Sequence, residues 1–309
     1  MSDRPRLPDS LVVIERGWLS SNNVLAFAGD AATLVDSGYA GHAEQTVALV
    51  RQALGARRLT RLINTHSHSD HIGGNAAAKR AFGCDIVIPA GIAEHIAAWD
   101  EEALLLAPAR QRGDRFLHDA VIHAGDAFAM GGLEWRAYHA PGHDMEALVF
   151  HCAAARLLIS GDALWQDGFG IVFGEVMGKP GALAATRRTL DMIGRLAVDT
   201  VIPGHGPAFA DVDAALARAY RRLDAFAADP ARMARNAIKA CFTFNLLDLQ
   251  RLPLAELEAY VAGVPLFSEV GARILGMDAA ALARWLHDEL LRAKAIAIED
   301  GVIVPTMAA

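Results

Sequence analysis

Thr65-His66-Ser67-His68-Ser69-Asp70-His71-Ile72-Gly73-Gly74 places four metal-ligand side chains within six positions. Imidazole nitrogen and carboxylate oxygen are the donors that borderline cations such as zinc prefer. His66 and His68 are two apart, so the end of an extended strand points both the same way. Asp70 and His71 follow where the chain turns into a helix, and a turn aims them at a different point. The run therefore predicts ligands for two neighbouring cation positions. Three more candidates come from afar: His143 in Ala140-Pro141-Gly142-His143-Asp144, Asp162 in Ser160-Gly161-Asp162, and His205 in Pro203-Gly204-His205-Gly206. Each follows a predicted strand and lies next to glycine, where backbone can approach a metal closely. Strand ends on one edge of a sheet converge, so these distant positions can meet. Buried together without a cation, the clustered imidazoles and carboxylates would repel or stay unpaired.

Around this run the pattern alternates between strand and helix. Residues 59–64 read as a buried strand that delivers the histidines. Gly73-Gly74 opens a helix through about Phe82, and residues 85–89 form the next strand. Upstream, residues 11–14, 23–28 and 32–36 are strands, the last ending in the turn Asp36-Ser37-Gly38. Residues 42–54 carry helical apolar spacing at Val47, Val50 and Leu54, stopped by Gly55. This is an α/β beginning. Residues 91–118, rich in Ala and Leu with Trp99 and Phe116, read as helix and loop and are expected to cover the site. Residues 120–123, 127–130, 133–139, 147–151 and 156–160 read as strands with hairpin spacing, hence antiparallel. A helix over 181–196 and a short strand over 200–202 lead to Pro203.

After Gly206 the chain turns helical. Residues 211–228 form a long predicted helix, and Asp229-Pro230 breaks it. The remainder is helical up to a helix over 279–292. Two short strand-like runs, 295–298 and 302–304, then flank Asp300-Gly301, a hairpin signal. A helix followed by a small hairpin looks like a winged-helix module. The expected division is a catalytic domain over 8–209, a linking helix over 210–228 and a small, mainly helical, winged-helix-like domain over 229–309.

With 309 residues, 53% of them hydrophobic, the chain can bury a sizeable core. A net charge of -7 weighs against a nucleic-acid protein, although Arg218, Arg221, Arg222, Arg232 and Arg235 form a local basic stretch. Cys84, Cys152 and Cys241 are odd in number and far apart, so no disulfide framework is expected. That fits a reduced cytoplasm. The start, Met1-Ser2-Asp3-Arg4-Pro5-Arg6, has no apolar core of a signal peptide. No run approaches the roughly 20 apolar residues of a spanning helix. The expectation is a cytoplasmic protein without a membrane partner; apolar helices in the last segment are compatible with a homodimer.

The run His66-x-His68-x-Asp70-His71, with His143, Asp162 and His205, resembles the metallo-β-lactamase fold superfamily near its glyoxalase II-like branch. The resemblance covers about residues 8–209 and implies an αββα sandwich, two sheets face to face with helices outside. It implies a ligand set: His66, His68 and His143 for one metal, Asp70, His71 and His205 for the other, with Asp162 bridging. Asp36 matches the family's aspartate that steadies the ligand loop. Where the family often continues Pro-Gly-His with Thr or Ser, this chain has Asp144-Met145-Glu146-Ala147.

Two divalent cations, zinc first with iron or manganese as alternatives, would share a water and deprotonate it at neutral pH. The expected reaction is attack of that hydroxide on an ester, thioester or lactone carbonyl of a small acyl substrate. Asp70, His66, His68 and Asp162 are the expected catalytic group, with Asp70 passing a proton to the leaving group. Trp99, Trp165, Phe169 and Phe173 are candidates for an apolar pocket, and Lys179 for an anionic substrate end. Competing readings are a mononuclear iron persulfide dioxygenase-like enzyme, a metal-dependent nuclease with the winged-helix-like part, and a non-catalytic binding protein.

Overall fold

Central strands of this chain carry apolar side chains on both faces, and both faces are covered. The computed structural model describes residues 5–307. Of the N-terminal run read for a leader, Met1 to Arg4 lie outside the described residues. The first sheet contains β1 (Leu11–Ile14), β2 (Asn23–Ala28), β3 (Ala31–Val35), β4 (Arg58–Ile63), β5 (Asp85–Pro89) and β6 (Ala120–Ile122), side by side in that order. β1 to β3 pair antiparallel and β3 to β6 parallel. The second contains β7 (Ala127–Met130), β8 (Leu133–His139), β9 (Leu148–Cys152), β10 (Leu157–Gly161) and β11 (Thr200–Pro203). It is antiparallel except for the β10/β11 pair.

Side-chain alternation sorts the core into layers. Val24, Val35, Ile63, Trp135, Phe150, Ile159 and Ile202 meet between the sheets. The intervening Leu25, Leu34 and Leu62 face outward onto Val50 and Leu54 of α1 (Ala43–Leu54). Beyond the first sheet come α2 (Ser69–Ile72), α3 (Asn75–Phe82), α4 (Ala93–Ala98) and α5 (Leu106–Ala109). On the second sheet, Val149, Leu158 and Val201 point outward. They share a core with α6 (Phe173–Val176), α7 (Ala182–Ile193), α8 (Val212–Ala228) and α9 (Pro230–Leu249). The αββα sandwich is therefore present.

Two expectations change. Residues 120–122 do not join the antiparallel set; β6 adds parallel to β5. The long connection over 90–119 allows this, because only a crossover can bring two neighbouring strands parallel. That connection lies against the flank of the first sheet, where Ile96, Leu104, Leu106 and Phe116 pack on Ile72, Ile86 and Ile88. Trp99 stacks edge-on to Phe116 there, so it is not a pocket residue.

The chain after Gly206 continues the same core. Asp211 caps α8 by accepting from the Ala214 amide at 3.3 Å, and Asp229 caps α9 by accepting from Arg232 at 2.9 Å. With Pro230 in the first turn of α9, Asp229-Pro230 is a joint that ends one helix and starts the next. Then follow β12 (Leu252–Pro253), α10 (Leu257–Ala262), α11 (Pro265–Val270), α12 (Ala279–Arg292) and the hairpin β13 (Ile296–Glu299) and β14 (Val302–Pro305). β12 adds to the free side of β14. Phe242, Phe267, Leu286 and Ile303 join the core cluster of the second sheet. All three cysteines are buried and free. No helix among the described residues is long and apolar enough to cross a membrane.

Asp248 near the end of α9 ties three segments together. It accepts from the Tyr39 hydroxyl at 3.1 Å and from Arg112, whose backbone amide donates back to the Tyr39 oxygen at 3.0 Å. Removing the carboxylate strands a buried phenol and frees Arg112. Asp248→Ala should lower stability by about 2 kcal/mol, read as a shift in the urea unfolding midpoint at constant slope.

Candidate metal centre

All seven sequence candidates meet at one edge of the sandwich. β4 ends at Ile63 and delivers His66 and His68, and α2 carries Asp70 and His71. His143 follows β8, Asp162 follows β10, and His205 follows β11. Donor atoms of His66, His68 and His143 lie within 4.8 Å of one another. Those of Asp70, His71, Asp162 and His205 form a second group by the same measure. The two groups touch: Asp162 Oδ2 is 3.3 Å from His143 Nε2 and its Oδ1 is 3.4 Å from His71 Nε2.

Asp36 sets the orientation of the histidines. One of its oxygens accepts from the Thr65 amide at 2.8 Å; the other accepts from the Thr65 hydroxyl and His71 Nδ1, both at 2.8 Å. The hydroxyl's single proton is thus committed, so at 3.0 Å it accepts from His66 Nδ1. His143 Nδ1 donates to the Ile171 carbonyl at 2.7 Å. Outer nitrogens engaged in this way leave Nε2 of His66, His71 and His143 facing inward, while His68 turns its Nδ1 to His143 Nε2 at 2.6 Å. Nε2 of His66 and of His71 are buried without a hydrogen-bond partner. Buried, unpartnered, inward-facing ring nitrogens beside carboxylates are what a cation site requires.

Electrostatics agree with this arrangement. Burial, reinforced by His71, His68 and His143, holds the His66 imidazole far below its ordinary value. Burial and the neighbouring His143 push His68 down to about 4. For Asp162 burial works upward, but the charges of His205 and His71 outweigh it and keep the carboxyl well below the usual range. His71 is the exception. Burial lowers it, but Asp36, Asp70 and Asp162 prevail and raise it well above its usual value. A cation held by the second group would compete with a proton on His71.

Glycines permit the close approach. A methyl on Gly204 would fall 2.2 Å from Asp162 Oδ1, and one on Gly170 would fall 2.4 Å from His143 Nδ1.

Several contacts had no signal in the sequence. The loop before β2 holds the second group from outside: Trp18 stacks on His205 at 5.3 Å, and the Ser21 amide donates to the Asp70 carbonyl at 3.0 Å. The Asn22 amide group clamps the Pro203 and Gly206 carbonyls. Asp144, the departure from the family pattern, accepts from the Ser67 amide at 3.1 Å and hydroxyl at 2.7 Å, locking the two ligand loops together. Trp165 donates to Asp162 Oδ1 at 3.1 Å.

A cavity of about 430 Å³ opens onto the centre. Trp165 and Phe173 line it, as expected from the sequence, with Trp18, Ile171, Phe244 and Leu247. Phe169 is instead core, packed on Phe226. Lys179 is exposed and absent from the lining; the lysine that reaches the cavity is Lys239.

Residues 16–205 match the Metallo-beta-lactamase superfamily, and the chain belongs to that family. It is 31% identical over 115 residues to a hydroxyacylglutathione hydrolase of Rhodospirillum rubrum, covering 37% of this chain and 38% of the relative. A second, from Methylococcus capsulatus, is 32% identical over 126 residues, covering 40% and 42%. The chain therefore aligns with less than half the length of these relatives. Among solved structures, a metallo-beta-lactamase family protein from Thermus thermophilus superposes with a TM-score of 0.56 at 17% identity, covering 97% of this chain and 100% of the other. A subclass B3 metallo-beta-lactamase from a soil metagenome gives 0.55 at 18% identity, covering 71% and 93%. Both share the fold.

Asp36→Ala leaves the Thr65 amide and His71 Nδ1 without an acceptor. Divalent cation affinity, measured by chelator competition, should fall roughly 10–100-fold.

Proposed function

We propose that this chain is a metal-dependent hydrolase of small acyl substrates, built on two divalent cations. The observation that carries the reading is the pair of adjoining donor groups, three imidazoles in one and a carboxylate-rich set in the other, joined through Asp162. His66, His68 and His143 would hold one cation and Asp70, His71 and His205 the other, with the Asp162 carboxylate lying between the two groups. Zinc suits this nitrogen and oxygen donor set. Such a pair supplies Lewis acidity and a water whose pKa is low enough to give hydroxide at neutral pH.

The chain's own groups do the rest. Asp36 and the Ile171 carbonyl hold the imidazoles in one tautomer. Trp165 fixes one oxygen of Asp162. Asp70 lines the cavity beside His205 and is placed to take a proton and hand it to the departing group. The cavity wall of Trp18, Trp165, Phe173 and Phe244 excludes water and accepts an apolar acyl group. An ester, thioester or lactone fits this combination, and the hydroxyacylglutathione hydrolases it resembles favour a thioester.

Metal analysis with a panel of thioesters, lactones, esters and phosphodiesters tests the reading. Two zinc ions per chain and turnover of acyl substrates are expected. One iron with oxygen uptake, or turnover of phosphodiesters alone, would overturn it. His68→Ala and Asp162→Ala should each lose cation and drop in rate by more than the roughly 10–100-fold that supporting partners cost. Their circular dichroism should stay that of the parent. Normal turnover in either variant would remove that residue from the centre.

A further inference from the structure

Beside the cavity at the metal centre lies a second cleft, of about 500 Å³, formed where α8 and α9 meet at the Asp229-Pro230 joint. Its walls are Arg221, Arg222, Arg232, Arg235 and Lys239, with Asn236 and the ring of Phe226. Arg232, Arg235 and Lys239 are three and four residues apart, so they share one face of α9. Arg222, Asn236 and Lys239 line both cavities, so the cleft opens into the one that holds the metal centre.

The guanidinium charge in this cleft is not offset by ion pairs among the described residues. Some arginines elsewhere pair with carboxylates, among them Arg112 with Asp248, Arg156 with Asp199, Arg187 with Asp224 and Arg218 with Asp167. Among the described residues, none of Arg221, Arg222, Arg232 and Arg235 makes an ion pair, in a chain with more acidic than basic side chains. Lys239 alone has a carboxylate, Glu289, at 3.5 Å. Arg222 is also held in place. Its guanidinium lies 5.3 Å from the Phe169 ring centre and 5.2 Å from that of Phe226. A methyl on Gly168 would fall 2.9 Å from it. Gly168 closes the turn that starts at Trp165, whose indole holds Asp162. The cleft and the metal centre are thus built on the two ends of one loop.

Four guanidiniums crowded together without acids repel one another unless an anion joins them, and planar guanidiniums suit phosphate oxygens. The lining of the metal-centre cavity also has an apolar part that includes Leu290, Ala295 and Met307. From this division we infer that the substrate is an acyl thioester whose thiol carrier bears several phosphate groups. Its acyl chain lies in the apolar part, its carbonyl at the metal centre and its phosphates in the arginine cleft. This rests on the hydrolase reading above and names its substrate class. In the reaction, water adds its oxygen to the acyl carbon and the carbon–sulfur bond breaks. The thiol leaves with one of the water's protons, and the carboxylate releases the other to solvent.

Binding to the metal-loaded full chain tests this without turnover. Calorimetry should compare desulfo-coenzyme A, which has phosphates but no thiol, with desulfo-pantetheine, which has neither. The phosphorylated probe should bind at least about tenfold more tightly. High salt should narrow that gap. Arg232→Ala with Arg235→Ala should abolish it, and the double lysine variant should restore part of it. In turnover, the same alanine pair should raise KM for a coenzyme A thioester about tenfold and erase its advantage over the pantetheine thioester.

Equal binding of the two probes would overturn the inference. So would an arginine-dependent affinity for single-stranded RNA in place of desulfo-coenzyme A. If the arginines govern probe binding while no thioester is hydrolysed, the phosphate site stands and the hydrolase reading fails. If pantetheine and coenzyme A thioesters are hydrolysed with equal KM, the hydrolase stands and the phosphate site fails.

Discussion

Seven ionisable side chains are packed into one edge of this sandwich, and six of the seven are buried. Burial of unpaired imidazoles and carboxylates is expensive unless a cation joins them. Everything around the centre serves that packing. Asp36 adopts a left-handed backbone conformation, with φ of 56°, to turn its carboxylate under the ligand run. Strain of that kind persists only where the surroundings fix it, and here three hydrogen bonds do. Asn22 and Asp144 then lock the remaining loops to the same edge.

The scaffold explains why such distant residues meet. β4, β10 and β11 are central or parallel-paired strands with apolar residues on both faces, so their positions are set by two cores at once. The donors sit just past the strand ends, where the backbone is free to turn but its starting point is rigid. Helices α8 and α9 extend one of those cores and raise the wall of the cavity. The segment after Gly206 therefore contributes to the site as well as to stability.

Much of this was legible in the sequence because its signals are local. Alternating apolar residues marked the strands, and the spacing of His66, His68, Asp70 and His71 marked the centre. The pairing of β6 was not legible, because a three-residue strand carries no record of its neighbour's direction. Trp99 and Phe169 looked like pocket residues because aromatic identity does not say which side of a helix or loop faces the cavity. Trp18 escaped notice for the opposite reason. It sits 187 positions before His205, and only the closed fold stacks the two rings. The arginines of α8 and α9 were visible as a basic stretch, but a solvated helix face and an anion cleft look alike until partners can be assigned.

Anomalous diffraction at the zinc edge, from crystals of the protein as purified, tests the central claim most directly. Two peaks about 3.5–4 Å apart are expected. One should lie among His66, His68 and His143, the other among Asp70, His71 and His205, with Asp162 between them. A single peak confined to one group, or peaks away from these residues, would contradict it.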